Sequence, residues 1–182
     1  LNSDLSNLDN LEYLNIDSLD SSFNIRNLRT LKNLKSLTLS EGVSYDVSKD
    51  IKGNVSVLKN LTELEYLYLD SYNINGNISA IGSLNKLKEM YLHGYMLTGD
   101  ISEIGKLSNL EVLNFENYEI KGDISCLGSL TKLSELFVFS AQLKGNVKSF
   151  GSLTNLKTLK VWGENFKGDV NSLQGLTNLE SL

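Results

Sequence analysis

The sequence predicts a β-rich α/β solenoid, with each coil of chain stacked on the one before, and three observations predict it. An apolar pattern restarts at Leu61, Leu84, Leu107, Leu130 and Leu153, 23 residues apart each time. Within a unit the apolar spacings are mixed. Counting the first leucine as offset 0, they fall at 0, 3, 6, 8, 13, 17 and 20: Leu84, Leu87, Met90, Leu92, Leu97, Ile101 and Ile104, with Gly99 at 15. Offsets 6 and 8 alternate as in a strand, 13 and 17 flank the glycine, and 20 to 23 turns back. Finally, no single helix or sheet buries such a set, whereas a solenoid stacks every apolar offset on its own copies above and below.

Taken in order, residues 1–7 enter the array and Leu5 shields the first coil. The first unit begins at Leu8 and continues through Leu11, Leu14 and Ile16; its second half lacks the glycine motif and is expected to be irregular, as terminal repeats often are. The second unit begins at Leu31 and returns to pattern at Ile51, Gly53, Val55 and Leu58. Eleven residues separate Leu39 from Ile51 where the next unit has four between Leu69 and Ile74, so residues 40–50 carry a seven-residue insertion. A loop of that length in a tight repeat is either functional or drift in a solvated edge. Five regular units run from Leu61 to Gly175, and an eighth starts at Leu176 and stops at Leu182. We therefore expect one solenoid domain over 1–182, of about seven repeats and a partial eighth, belonging to a longer protein.

Composition narrows the function classes. The 182 residues carry a net charge of −5 and a pI near 4.9, which argues against a nucleic-acid partner. No apolar run is long enough to span a membrane. A lone cysteine, Cys126, rules out an internal disulfide framework and a cysteine-based metal site. Proline is absent and asparagine serves the tight turns.

The LxxLxxLxL opening, as in Leu84, Leu87, Met90 and Leu92, resembles a leucine-rich repeat, and the resemblance covers nearly the whole chain. The second half, Leu97, Thr98, Gly99, Asp100 and Ile101, is similar to the LxGxIP segment of the plant-type class. It is one residue shorter, and Ser102 stands where that class has proline. At offset 11 the family usually stacks asparagines; here stand Tyr72, Tyr95, Tyr118, Ala141 and Glu164. Either the turn is rebuilt, or the small residues at offset 10 (Ser71, Gly94, Asn117, Ser140, Gly163) face inward instead. The paired-cysteine caps of plant receptors are missing, so the better match is to repeats of bacterial or protist surface proteins. The resemblance implies a right-handed solenoid with a concave parallel β-sheet and a convex side of short second strands and 3₁₀ turns. It also implies an extracellular or cell-surface location.

Offsets 6 and 8 should point into the core, leaving 5, 7 and 9 on the concave surface. The glycine at 15 should point inward where no side chain fits. Lysines at 14 (Lys52, Lys121, Lys144, Lys167) and Asn or Asp at 16 (Asn54, Asn77, Asp100, Asp123, Asn146, Asp169) should form adjacent outward stripes joined by salt bridges and backbone hydrogen bonds. Serines at 18 (Ser79, Ser102, Ser125) should cap a 3₁₀ turn.

The concave positions carry the candidate site. Tyr66, Tyr68, Asp70, Glu89, Tyr91, His93, Glu116, Phe137, Phe139 and Trp162 all occupy offsets 5, 7 or 9. Seven of the fifteen aromatic residues lie on such offsets, which folding alone would fill with polar groups; clustered surface aromatics mark an interaction surface, although cross-strand pairs also stabilise a sheet. Asp70, His93 and Glu116 share offset 9 on consecutive strands, a set that could hold a divalent metal or move a proton. No nucleophile, oxyanion donor or second histidine accompanies them, so a solvated polar row is the expected reading. The expected function is non-catalytic recognition of a protein whose facing patch is neutral or basic, with no cofactor. A carbohydrate ligand, stacked on the aromatic rings, and a structural spacer are the alternatives.

Overall fold

A computed structural model describes residues 5–17, 22–41 and 50–182. Its strands in chain order are β1 (Tyr13–Asp17), β2 (Phe23–Asn24), β3 (Ser36–Ser40), β4 (Ile51–Asn54), β5 (Tyr66–Asn77), β6 (Glu89–Thr98), β7 (Val112–Asn117), β8 (Gly122–Asp123), β9 (Glu135–Ser140), β10 (Leu143–Asn146), β11 (Thr158–Trp162) and β12 (Asn165–Lys167). The main sheet runs β1-β3-β5-β6-β7-β9-β11, every pairing parallel. Pairing joins like offsets: Tyr66 faces Glu89, Glu89 faces Val112, Val112 faces Glu135 and Glu135 faces Thr158. Neighbouring coils are thus one period apart in sequence and one strand apart in space, which is a solenoid.

The period decides burial. Offset 6 is fully buried in Leu67, Met90, Leu113, Leu136 and Leu159, and offset 8 in Leu69, Leu92 and Phe115. Together with the offsets on the return side they form one continuous apolar cluster from Ile16 to Leu176. Each such side chain contributes on the order of 1.5–3 kcal/mol relative to remaining in water. On the far side, β8, β10 and β12 form a separate parallel sheet, while β4 pairs with both β2 and β5.

The 3₁₀ turns follow, as in Val55–Asn60, Ile101–Lys106 and Ile124–Ser129. Here the structure corrects two expectations. The caps are the Asn and Asp residues at offset 16, not the serines at 18. Asn77 accepts from the Ser79 backbone N–H, Asp100 from that of Ser102 and Asp123 from that of Ser125, at 2.9 Å in all three. A short oxygen-bearing side chain two residues before an orphan N–H reaches it without strain, which is why this stripe alternates only between Asn and Asp. The stripe is therefore not joined to the lysines by salt bridges. The ion pairs seen among the described residues lie elsewhere: Lys35 with Glu12, Lys86 with Glu63, Lys88 with Glu65 and Lys106 with Glu103.

A third correction concerns the first unit. Its second half is regular in the residues described, from Ser22 on: Asn24 caps Ile25–Thr30, and Ile25 and Leu28 are buried. The glycine position is taken by Phe23, which is itself buried. The reason lies in what crowds that position. A Cβ at Gly53 would meet Ile25 Cγ1 at 2.9 Å and Asn24 Oδ1 at 3.0 Å, both in the preceding coil. No described coil precedes Phe23, so that crowding is absent. The insertion expected at 40–50 lies mostly outside the described residues, which omit 42–49. Its described border residue Glu41 is anchored, accepting hydrogen bonds from the Ile51 N–H at 3.2 Å, the Ser71 hydroxyl at 2.5 Å and the Tyr72 N–H at 3.1 Å.

Candidate recognition surface

The turn at the end of each concave strand positions the site. Of the two alternatives left open at offsets 10 and 11, the inward offset 10 holds. Ser71, Asn117 and Ser140 are fully buried. The Asn117 side chain accepts from the N–H groups of Glu119 at 2.8 Å and Ile120 at 2.7 Å, and donates to the carbonyls of Gly94 and Leu97. Ser140 accepts from Gln142 and Leu143 in the same way. These groups satisfy backbone polar atoms that the turn would otherwise bury unpaired. Offset 11 then turns outward, and its tyrosines join the surface.

The candidate residues sit where their offsets place them. Tyr66, Tyr68 and Asp70 are on β5, Glu89, Tyr91 and His93 on β6, Glu116 on β7, Phe137 and Phe139 on β9, and Trp162 on β11. Most are half-buried rather than open, because the rings cover one another; Trp162 is 54% exposed. The first cluster is central: Tyr91 lies 5.8 Å from both Tyr66 and Tyr68, and Tyr68 meets the edge of His93 at 6.1 Å. A second group runs along the strand ends. Tyr72 stacks on Tyr95 at 4.6 Å, Tyr95 on Tyr118 at 5.5 Å, Tyr118 meets Phe139 edge-on at 5.8 Å, and Phe139 stacks on Trp162 at 4.4 Å. Tyr72, Tyr95 and Tyr118 were not among the sequence candidates. Their departure from the asparagine expected at offset 11 was the available signal.

A depression of ≈ 260 Å³ lies between β7, β9 and β11, lined by Asn114, Glu116, Phe137, Phe139, Lys160 and Trp162 among others. The Lys160 ammonium sits 5.5 Å from the centre of the Phe137 ring. Burial raises the hydroxyl pKa of Tyr66, Tyr68 and Tyr91, and nearby carboxylates add to it. Tyr95 is pushed up to about 12, first by burial and then by its contact with Tyr72. All four are therefore protonated hydrogen-bond donors at neutral pH. Asp70, His93 and Glu116 are in register on adjacent strands, but the His93 Nε2 contact is with Asn114 Oδ1 at 3.3 Å. Among the described residues no group of three or more His, Cys, Asp or Glu could hold a metal ion. Cys126 lies among the 3₁₀ turns with its thiol raised to about 11, chiefly by burial, which disfavours a reactive thiolate. The surface offers ring edges, hydroxyl donors and carboxylates, which suit it to noncovalent binding.

No family model and no curated protein sequence matches the chain. Solved structures do. Internalin C2 from Listeria monocytogenes is 27% identical with a TM-score of 0.71, over 97% of this chain and 72% of that one. The Arabidopsis receptor kinase HAESA, solved with the peptide hormone IDA and the co-receptor SERK1, is 25% identical with a TM-score of 0.70, over 97% of this chain and 30% of that one. The Leptospira interrogans LRR protein LIC12759 shares the fold at 20% identity and a TM-score of 0.65, over 98% of this chain and 50% of that one. This chain thus spans half or less of the length of the last two. With its 23-residue period, its parallel sheet built of like offsets and these neighbours, the chain is a leucine-rich-repeat protein.

Proposed function

We propose that the chain is a non-catalytic protein-recognition module, a single solenoid domain that holds its partner against the concave face through the aromatic and acidic positions named above. The observation that carries this reading is the placement of the aromatics. Tyr66, Tyr68, Tyr91, Phe137, Phe139 and Trp162 stand on offsets that contribute nothing to the apolar core, which is complete without them. A few aromatic anchors ringed by polar groups are the usual make-up of an interface centre. The HAESA structure, which holds a peptide hormone, supports a peptide or protein ligand over a carbohydrate. The Tyr95 ring is stacked on both sides, by Tyr72 and Tyr118, which closes its faces to a sugar ring. The internalin and receptor neighbours support an extracellular or cell-surface setting. Among the described residues no helix is long and apolar enough to cross a membrane.

The experiment is a paired selection. A displayed library of protein fragments and a glycan array are each probed with the native chain and with a Tyr68→Ala, Tyr91→Ala, Phe137→Ala variant. Protein ligands that bind the native chain and are lost on the variant are the expected result. Ligands found only among glycans, or protein ligands indifferent to the triple substitution, would overturn the reading.

A further inference from the structure

The ribbon Tyr72, Tyr95, Tyr118, Phe139, Trp162 is separate from the central Tyr66–Tyr68–Tyr91 cluster, and its form narrows what can lie on it. The rings lie 13°, 15° and 7° from parallel in the three stacked pairs, and Tyr118 meets Phe139 at 72°, so the ribbon is a three-ring stack and a two-ring stack joined edge to face. The two outer residues, Tyr72 and Trp162, are 55% and 54% exposed. The Tyr118 hydroxyl already donates to Glu116, and those of Tyr72 and Tyr95 remain to donate to a ligand that brings free acceptors. The ribbon crosses the strands, so the ligand runs along the solenoid rather than along a strand.

Three backbone forms can be compared with that surface. An α-helix has already spent its carbonyls on internal hydrogen bonds. An extended strand repeats its facing side chains every 6.7 Å or so and finds no backbone edge to pair with here. Two ring steps of the ribbon advance about 10 Å, near the roughly 9.3 Å of one three-residue turn of polyproline II, whose carbonyls are all free. Aromatic-lined surfaces recognise this conformation because it is ordered before binding. The charge is equally selective. At offsets 5, 7 and 9 the carboxylates Asp17, Asp70, Glu89, Glu116 and Glu135 face a single lysine, Lys160. Glu116 also accepts from the Tyr118 hydroxyl at 3.4 Å, which places a carboxylate beside the ribbon.

Resting on the recognition reading above, we propose that the ribbon seats a basic, proline-rich segment of a partner protein in polyproline II conformation. Tyr72 and Tyr95 donate to its carbonyls, and Asp70 and Glu116 pair with its arginine or lysine side chains.

Synthetic peptides test this directly. Fluorescently labelled twelve-residue peptides repeating Pro-Pro-Arg, Pro-Pro-Glu or Gly-Ser-Arg are titrated by polarisation at low salt. The Pro-Pro-Arg peptide should bind at least about tenfold tighter than either other peptide, the first control testing charge and the second conformation. Tyr95→Ala and Trp162→Ala should each weaken it about tenfold with an unchanged circular dichroism spectrum. Tyr95→Phe, which keeps the ring and loses only the hydroxyl, should weaken it about threefold. Lys144→Ala, on the convex side, should change it by less than about twofold. Equal binding of the Gly-Ser-Arg or Pro-Pro-Glu peptide, or indifference to the ribbon substitutions, would overturn the inference. If the peptides fail while selected protein ligands still depend on Tyr68, Tyr91 and Phe137, the ribbon assignment falls and the recognition reading stands.

Discussion

Gly122 and Leu113 show how much a single position in this repeat is constrained. Gly122 has φ of 120°, where L side chains are strained, and a Cβ there would stand 2.9 Å from Asp100 Oδ1 in the preceding coil. Gly122→Val should therefore destabilise by more than about 2 kcal/mol in denaturant melts, and an unchanged midpoint would contradict the geometry. Leu113 is fully buried at offset 6 between Met90 and Leu136. Leu113→Ala should cost about 2–5 kcal/mol by opening a cavity shared with both neighbours. Lys121→Ala, on the outward side, should cost less than about 0.5 kcal/mol. The inside and outside of the coil were legible because the apolar period states them directly. The tyrosines at offset 11 were not, because their direction depends on which residue fills the turn. Ser71, Asn117 and Ser140 take the inward position one residue earlier, and periodicity alone does not distinguish the two offsets.

The most informative element is the capped 3₁₀ turn. Hydrogen bonds from Ser102, Ser125 and Asn171 hold the carboxyls of Asp100, Asp123 and Asp169 below the usual aspartate range near 3.8. A carboxylate whose folded pKa is depressed stabilises the fold above its unfolded pKa and loses that contribution as pH falls through the folded one. Stability should thus decline from about pH 4 downward. Asn54, Asn77 and Asn146 make the same cap without a titrating group. The triple variant Asp100→Asn, Asp123→Asn, Asp169→Asn should then fold normally at pH 7 and show a shallower loss of stability between pH 4 and pH 2. An identical acid profile in the two proteins would remove the caps from the account. The cap was assigned to the wrong residue from sequence because Asn/Asp at 16 and Ser at 18 are both capping types. Only the direction of the side chain separates acceptor from donor partner. Phe23 illustrates the same limit, since a motif read as broken is one whose steric reason is absent in that coil.

For the whole molecule, the solenoid converts a one-dimensional period into columns of side chains. One column becomes core, another becomes caps, and the concave columns are left free to vary. The fold was legible because stacking demands the same residue type at every copy of a core offset. The ligand was less legible because the concave columns carry no such demand, so they show a composition and not a motif. The central claim is that binding resides in those columns. Its most direct test is calorimetric affinity for a protein ligand from the paired selection, with circular dichroism confirming the fold of each variant. Tyr91→Ala or Trp162→Ala should weaken binding by about 2 kcal/mol or more, and Lys144→Ala on the convex side should change it by less than about 0.5 kcal/mol. Binding abolished by Lys144→Ala and unaffected by the two aromatic substitutions would contradict the claim, leaving the concave rings as sheet packing alone.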